Sequence, residues 1–478
     1  MIDEVKALLA CTRDVPNCQS THVQDCSDVV NLSVYFDGPG NNKDADDSKK
    51  RWSNIARLYE SAVRRKSATN HVVYVAGIGT KLDYPKRSSF AAAMQDSSVL
   101  GGGLGFGADA RIGYGRDGVE DGIRQAFDAF ASRSEATAQG EETSCKAQGE
   151  GDVASAIGKH RLIKVINFYL FGFSRGASLA RAFANDLVAN CIKDKDGGSL
   201  YKREGGEPIP MRIVFMGLFD TVASFGAPAA NLNTNIRLGI PNEVEQCVHF
   251  TAAHELRFSF PLELAQSAAG AAPNVRETVY PGVHSDVGGG YEPSGPGDAQ
   301  GITNNTARIP MRDMMQEAVC SGSPMVSYTD LAVDPKVKAL FDERYAIAPE
   351  TQAAYSAYMG VAGAIGSIQQ TVDIHLKALY AVCGTLHRQG QLRQLAPRYK
   401  DLVDEMEMRV RSAQPQFGDR ERPDMLKQLD PWRVDAWNET APPAVVNYVA
   451  RYVHNSKLDV SEPSSYFTPR VLHEPRQT

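Results

Sequence analysis

Blocks of β-branched and aromatic residues alternate with amphipathic helical patterns along the first two thirds of the chain, and most apolar blocks stop at glycine or a turn cluster. Val29 to Phe36 predicts a buried strand that ends at Asp37-Gly38-Pro39-Gly40-Asn41-Asn42. Ser53 or Asn54 can cap a helix running to about Arg64, with Ile55, Leu58 and Val63 on one face. Val72 to Val75 predicts a second strand, closed by Gly77-Ile78-Gly79-Thr80, and Val119 to Phe130 an amphipathic helix. Ile163 to Phe171 and Ile213 to Phe219 are further buried strands, and Phe250 to Ala253 and Val275 to Tyr280 are shorter candidates. Strands alternating with helices in this way imply a mostly parallel sheet covered on both faces.

Around that unit the pattern weakens. Residues 1–26 read as a short helical and loop extension, and the α/β unit occupies 27–302, with insertions near 81–115, 132–158 and 192–210. Ser132 to Asp152 is polar and poor in aromatics, as expected of a mobile loop. From 303 to 478 the character becomes mainly helical, with patterns at Pro335 to Tyr345, Thr371 to His387 and Leu392 to Ala413. The uncharged run Thr351 to Val372 is long enough for a membrane span, but its Ala, Gly, Ser and Gln content favours a buried or surface-docking helix.

Composition narrows the function only slightly. A chain of 478 residues with 42% hydrophobic and 23% charged residues is ordinary globular protein, and a net charge of −6 argues against a nucleic-acid partner. The eight cysteines show no CxxC pair and no zinc-like spacing. Cys11, Cys18 and Cys26 could form a disulfide in an oxidising compartment or stay unpaired. The N-terminus MIDEVKALLACTRD is acidic where a signal peptide is basic, so synthesis in the cytoplasm with export by another route is expected. The acidic loop at Asp44, Asp46 and Asp47 has Lys49 and Ile55 where a calcium-binding loop needs Gly and Glu, and reads as solvated. Gly105 to Ala110 fits GxGxxA but follows no strand, which excludes a dinucleotide site.

The chemistry concentrates at Gly172-Phe173-Ser174-Arg175-Gly176, a GxSxG sequence between an apolar strand and an Ala/Leu-rich helix. A serine on such a strand-to-helix turn is held exposed to substrate, and the helix aims its first amides, Arg175 included, at the developing oxyanion. An α/β-hydrolase triad runs Ser, acid, His along the chain. Asp220 follows the strand Ile213 to Phe219, and His284 lies in the Gly-rich loop after Val275 to Tyr280. His284 would take the Ser174 proton and return it to the leaving group, while Asp220 fixes its tautomer. Asp286 is the rival acid, and His249 and His254 are rival histidines, His254 reading as a structural residue paired with nearby charge. The second oxyanion donor is expected from Gly38 or Gly40, since Pro39 has no amide hydrogen. No metal or cofactor is called for.

With these residues assembled, the chain resembles the first family of type VI secretion lipase effectors. The matching blocks are Tyr35 to Asn42, Ser53 to Glu60, Val75 to Thr80, Tyr169 to Asn185, Phe215 to Gly226 and Tyr280 to Tyr291. The resemblance implies an α/β-hydrolase with Ser174, Asp220 and His284 as its triad, and phospholipid acyl esters as substrate, cleaved as phospholipase A1 or A2 in the target cell's envelope. It also implies a spike protein of the secretion apparatus and a cognate immunity protein as partners. An esterase for soluble esters and a non-enzymatic interaction module on the same scaffold are the alternatives.

Overall fold

Each apolar block becomes a strand because, in a sheet covered on both faces, every side chain along it must be buried. The computed structural model describes residues 29–84, 88–97, 107–142, 163–202, 208–224, 237–266, 272–293, 303–363, 366–413, 431–456 and 470–474. In chain order the strands are β1 (Val29–Phe36), β2 (Asn70–Val75), β3 (Val165–Phe173), β4 (Ile192–Lys193), β5 (Ser199–Tyr201), β6 (Ile209–Phe219), β7 (Cys247–Ala252), β8 (Leu262–Glu263), β9 (Val275–Tyr280) and β10 (Leu472–His473). Parallel pairings set the order β2-β1-β3-β6-β7-β9, and the β4–β5 hairpin joins the start of β6 antiparallel. The chain is a mixed α/β protein built on this central sheet.

The helices are α1 (Asn54–Val63), α2 (Ser89–Gln95), α3 (Ala108–Glu142), α4 (Arg175–Asn190), α5 (His284–Gly288), α6 (Arg308–Cys320), α7 (Tyr328–Val333), α8 (Lys338–Arg344), α9 (Pro349–Ala362), α10 (Ile368–Arg388), α11 (Leu392–Leu395), α12 (Lys400–Ala413), α13 (Pro431–Asn438) and α14 (Pro443–Tyr452). Strand alternation divides the interior in two. On one side Leu32, Val34, Phe36 and Leu170 pack against α3 and α4 through Ile123, Ala180 and Phe183. On the other, Tyr35, Tyr169 and Phe171 share one continuous core with Leu58 of α1, Met314 of α6, Tyr358 of α9, Leu379 of α10 and Tyr448 of α14. The helices after residue 303 therefore lie directly on the sheet.

The pattern places the main strands and α1 well, with Ser53 capping α1 by accepting from the Ala56 amide. Other expectations are corrected. Helix α3 begins at Ala108 and continues to Glu142, so residues 132–142 are helical and not loop. Their Ala, Glu and Gln content sustains a helix although no apolar stripe marks it. The 81–115 region contains α2, and 192–210 holds the β4–β5 hairpin. The uncharged run is two helices, α9 and α10, the second capped by Ser367. Among the described residues no helix is long and apolar enough to cross a membrane. Residues 1–26, with Cys11, Cys18 and Cys26, lie outside the described residues, as do Gly105 and Phe106; Gly107 leads into α3.

Asn54 ties these layers together. Its Nδ2 donates to the Val287 carbonyl (2.7 Å) and the Ala307 carbonyl (2.8 Å), and its Oδ1 accepts from Arg57 Nη1 (2.8 Å). Asn54→Ala removes the side-chain donor to both carbonyls and the acceptor of Arg57 Nη1, and should lower stability by about 2 kcal/mol. Urea unfolding at neutral pH measures this; an unchanged midpoint would contradict it.

Candidate active site

β3 ends at Phe173 and α4 begins at Arg175, so Ser174 alone makes the turn, at φ 58° and ψ −127°. A residue with a side chain is strained there and is held only because its surroundings over-determine it. The flanking glycines are required by close approach. A Cβ on Gly172 would fall 2.5 Å from Ala177 Cα, and one on Gly176 would fall 2.3 Å from the Phe36 carbonyl oxygen. The Ser174 amide donates to the Phe219 carbonyl (2.9 Å), and its carbonyl accepts from the Val222 amide (3.3 Å). Phe173 and Phe219 are register partners, so Ser174 and Asp220 sit at the ends of adjacent strands.

Asp220, also at positive φ (40°), is fully buried. Its Oδ2 accepts from His284 Nδ1 at 2.5 Å and its Oδ1 from the Ala252 amide at 2.8 Å. His284 opens α5, its ring 4.6 Å from that of Phe173 and 5.0 Å from that of Phe260. Phe173 is wedged between two glycines, since a Cβ on Gly38 or Gly288 would strike its ring at 2.5 Å or 1.9 Å. The elbow, the Gly38 loop and the histidine helix thus meet at one ring. Burial alone would raise the Asp220 carboxyl, but Arg470 and His284 override it and hold the group well below the usual carboxylate range. Burial lowers the His284 imidazole from 6.5, although Asp220 opposes the shift.

The rival residues brace loops. His249 Nε2 accepts from the Thr221 amide (3.1 Å) while its Nδ1 meets Glu277 Oε1 (2.7 Å). His254 Nδ1 accepts from the Gly282 amide (2.8 Å) and its Nε2 meets Tyr358 Oη (3.2 Å), so its partners are neutral groups and not the expected charge. Asp286 accepts from the Val283 amide (3.0 Å) and pairs with His454 Nδ1 (2.6 Å).

Arg175 is the first residue of α4, where helix amides face the elbow, and burial lowers its guanidinium to about 10. Gly38 and Gly40, expected to offer a free amide, already have acceptors. Gly38 donates to Asp37 Oδ1 (2.7 Å) and Gly40 to the Ile78 carbonyl (2.9 Å). For Gly38 the reason is that Asp37 folds back on its own loop, held by Ser53 Oγ (2.8 Å) and Tyr74 Oη (2.5 Å); for Gly40 it is the approach of Ile78. Burial pushes the Asp37 carboxyl up to about 6, with those hydrogen bonds offsetting part of the shift. Among the described residues no three His, Cys, Asp or Glu side chains converge as metal ligands would.

Sequence reasoning missed Arg470, whose guanidinium grips Asp220 from 250 residues away at 2.7 and 3.0 Å. It lies outside every block that carries the resemblance, so no local signal marked it. Glu255 was also missed in this role: its Oε2 accepts from the His284 amide (3.2 Å).

The fold is mixed α/β, with Ser174 on a strand-to-helix turn close to a buried Asp220–His284 pair. The family model described as "T6SS, Phospholipase effector Tle1-like, catalytic domain" matches residues 31–193 and 192–317, more than half of the chain, and the chain belongs to that family. Among solved structures, the crystal structure of an uncharacterized protein from Pseudomonas aeruginosa aligns with a TM-score of 0.61 at 19% identity, over 94% of this chain and 80% of that one. That likeness is one of fold. The structure of the Tle1 effector bound to the VgrG spike from the Type 6 secretion system aligns at 17% identity over 73% of this chain and 83% of that chain, with a TM-score of 0.36, too slight a likeness to argue from. No curated protein matches the chain.

A histidine acting as base must be neutral, and burial keeps the His284 imidazole neutral to lower pH than usual. The acid limb of a pH profile of kcat/KM should therefore fall below the ordinary value of 6.5. An acid limb above that value would contradict the assignment.

Proposed function

We propose that the chain is an α/β-hydrolase that cleaves acyl esters of membrane phospholipids as a phospholipase A, with Ser174 as nucleophile, His284 as base and Asp220 as its orienting acid. The observation that carries this reading is the buried His284 Nδ1–Asp220 Oδ2 hydrogen bond beside a GxSxG serine held at positive φ. Family membership supplies the substrate class.

In this mechanism His284 takes the Ser174 proton as Oγ attacks the acyl carbonyl. The bond to the glycerol oxygen breaks, His284 returns the proton to that oxygen, and a lysophospholipid leaves. Water activated by His284 then hydrolyses the acyl-enzyme, releasing the fatty acid. The Arg175 amide is one oxyanion donor. The Gly38 or Gly40 amide serves as the second by exchanging its Asp37 or Ile78 acceptor for the substrate oxygen. Ser174 is 1% and His284 4% exposed, so both stand in a site largely withdrawn from solvent. The proposal extends to delivery: passage through the type VI apparatus on a spike protein, action at a target bacterium's membrane from the periplasm, and an immunity protein that protects the producing cell.

Vesicles of phospholipid carrying different acyl chains at the two glycerol positions test this reading. Wild type should release one fatty acid preferentially, and Ser174→Ala should lower turnover by about 10³-fold or more while remaining folded. Undiminished release by the variant, or wild type active only on soluble short-chain esters, would contradict it.

A further inference from the structure

The Asp220 carboxylate has a charged neighbour that a serine triad does not require. Residues 470–474 come back to β8, with which β10 forms a separate two-stranded parallel sheet; Leu262 donates its amide to the Val471 carbonyl (2.9 Å), and Leu264 to that of His473 (2.9 Å). β8 is tied in turn to the acid's own loop, since Glu263 donates its amide to the Thr221 carbonyl (3.0 Å). This anchorage sets Arg470 against the site. Its Nη1 donates to Asp220 Oδ1 (3.0 Å) and to the Ala252 carbonyl (3.4 Å), its Nη2 to Asp220 Oδ2 (2.7 Å) and its Nε to the Phe260 carbonyl (2.6 Å).

We infer that Arg470 is a positioning residue of the proposed hydrolase, carried in by the β10 segment to fix the Asp220 carboxylate so that Oδ2 faces His284 Nδ1. The inference rests on the reading of Ser174, His284 and Asp220 as a triad. Without Arg470, Asp220 would keep one amide donor on Oδ1 and the imidazole on Oδ2. A planar guanidinium bonded to both oxygens sets the plane of the carboxylate, which one amide and one ring cannot do as firmly. Phe260, whose carbonyl Arg470 holds, also packs its ring edge-on against His284, so the same residue positions a wall of the imidazole. Arg470 bonds to no reacting atom and acts through Asp220.

The charges around the pair set the direction of a pH readout. Asp220 is faced by His284 and Arg470; His284 is faced by Asp220, by Glu255 and by Arg257, which pairs with Glu255 at 3.0 Å. Removing the Arg470 cation leaves the imidazole among less compensated negative charge, so it protonates at higher pH. Any protonation of the uncompensated Asp220 inactivates in the same direction.

Full-length Arg470→Lys and Arg470→Met are assayed on a soluble short-chain ester and on vesicles of phosphatidylethanolamine and phosphatidylglycerol. Arg470→Met should lower kcat by about a hundredfold with KM within about twofold, move the acid limb to higher pH, and recover activity when methylguanidinium is added. Arg470→Lys keeps the cation but not the fork and should lose about tenfold in kcat. A folded variant with wild-type kcat and pH profile would overturn the inference, as would a loss that neither shifts the acid limb nor responds to methylguanidinium. If Arg470→Met does not fold, Arg470→Lys decides, and wild-type kcat in that variant overturns the inference. Wild type inert on both substrates would overturn the triad reading and this inference together; an active wild type matched by Arg470→Lys would overturn this inference alone.

Discussion

A carboxylate with no solvent exposure sits at the end of the central strand β6, and much of the surrounding structure serves to match it. Asp220 receives an amide from β7, an imidazole from α5 and a guanidinium from the β10 segment, and its own amide donates to Phe250. These donors come from widely separated parts of the chain, so the site exists only when the sheet, the histidine helix and the returning segment have all docked. Burying an ion is tolerable only with such complete pairing.

The same logic extends to the helices after residue 303. The loop carrying His284 is held by Tyr448 Oη on the Pro281 carbonyl (3.3 Å), by His454 on Asp286, and by His254 on the Gly282 amide, with His254 itself meeting Tyr358. Tyr358 also hydrogen-bonds His375 Nδ1 (2.6 Å), extending the chain of contacts into α10. The helical region thus supports the proposed catalytic histidine as directly as it covers the sheet. Its own packing depends on the elbow face of the core, where Tyr35 stacks on Phe171 with centroids 4.7 Å apart.

How much of this could be read beforehand follows from where each signal resides. Strand-sized apolar blocks ended by a glycine or a polar turn residue are local, so β1, β3, β6 and β9 are legible, as is the chain order of Ser174, Asp220 and His284. The engagement of the Gly38 and Gly40 amides was not legible, because it depends on how Asp37 turns back and on the approach of Ile78. Helix α3 beyond Phe130 carries no apolar stripe, so periodicity missed it. Arg470 was invisible for a different reason: its partner is fixed by a pairing between two-residue strands, β8 and β10, too short to leave a pattern.

The central claim is that Ser174 is a nucleophile activated by His284. Mass spectrometry of the full-length protein after reaction with a fluorophosphonate tests it most directly. One phosphonyl adduct on the peptide containing Ser174, lost in His284→Ala, is the expected result. An unlabelled Ser174 in folded wild type, or undiminished labelling in His284→Ala, would contradict it.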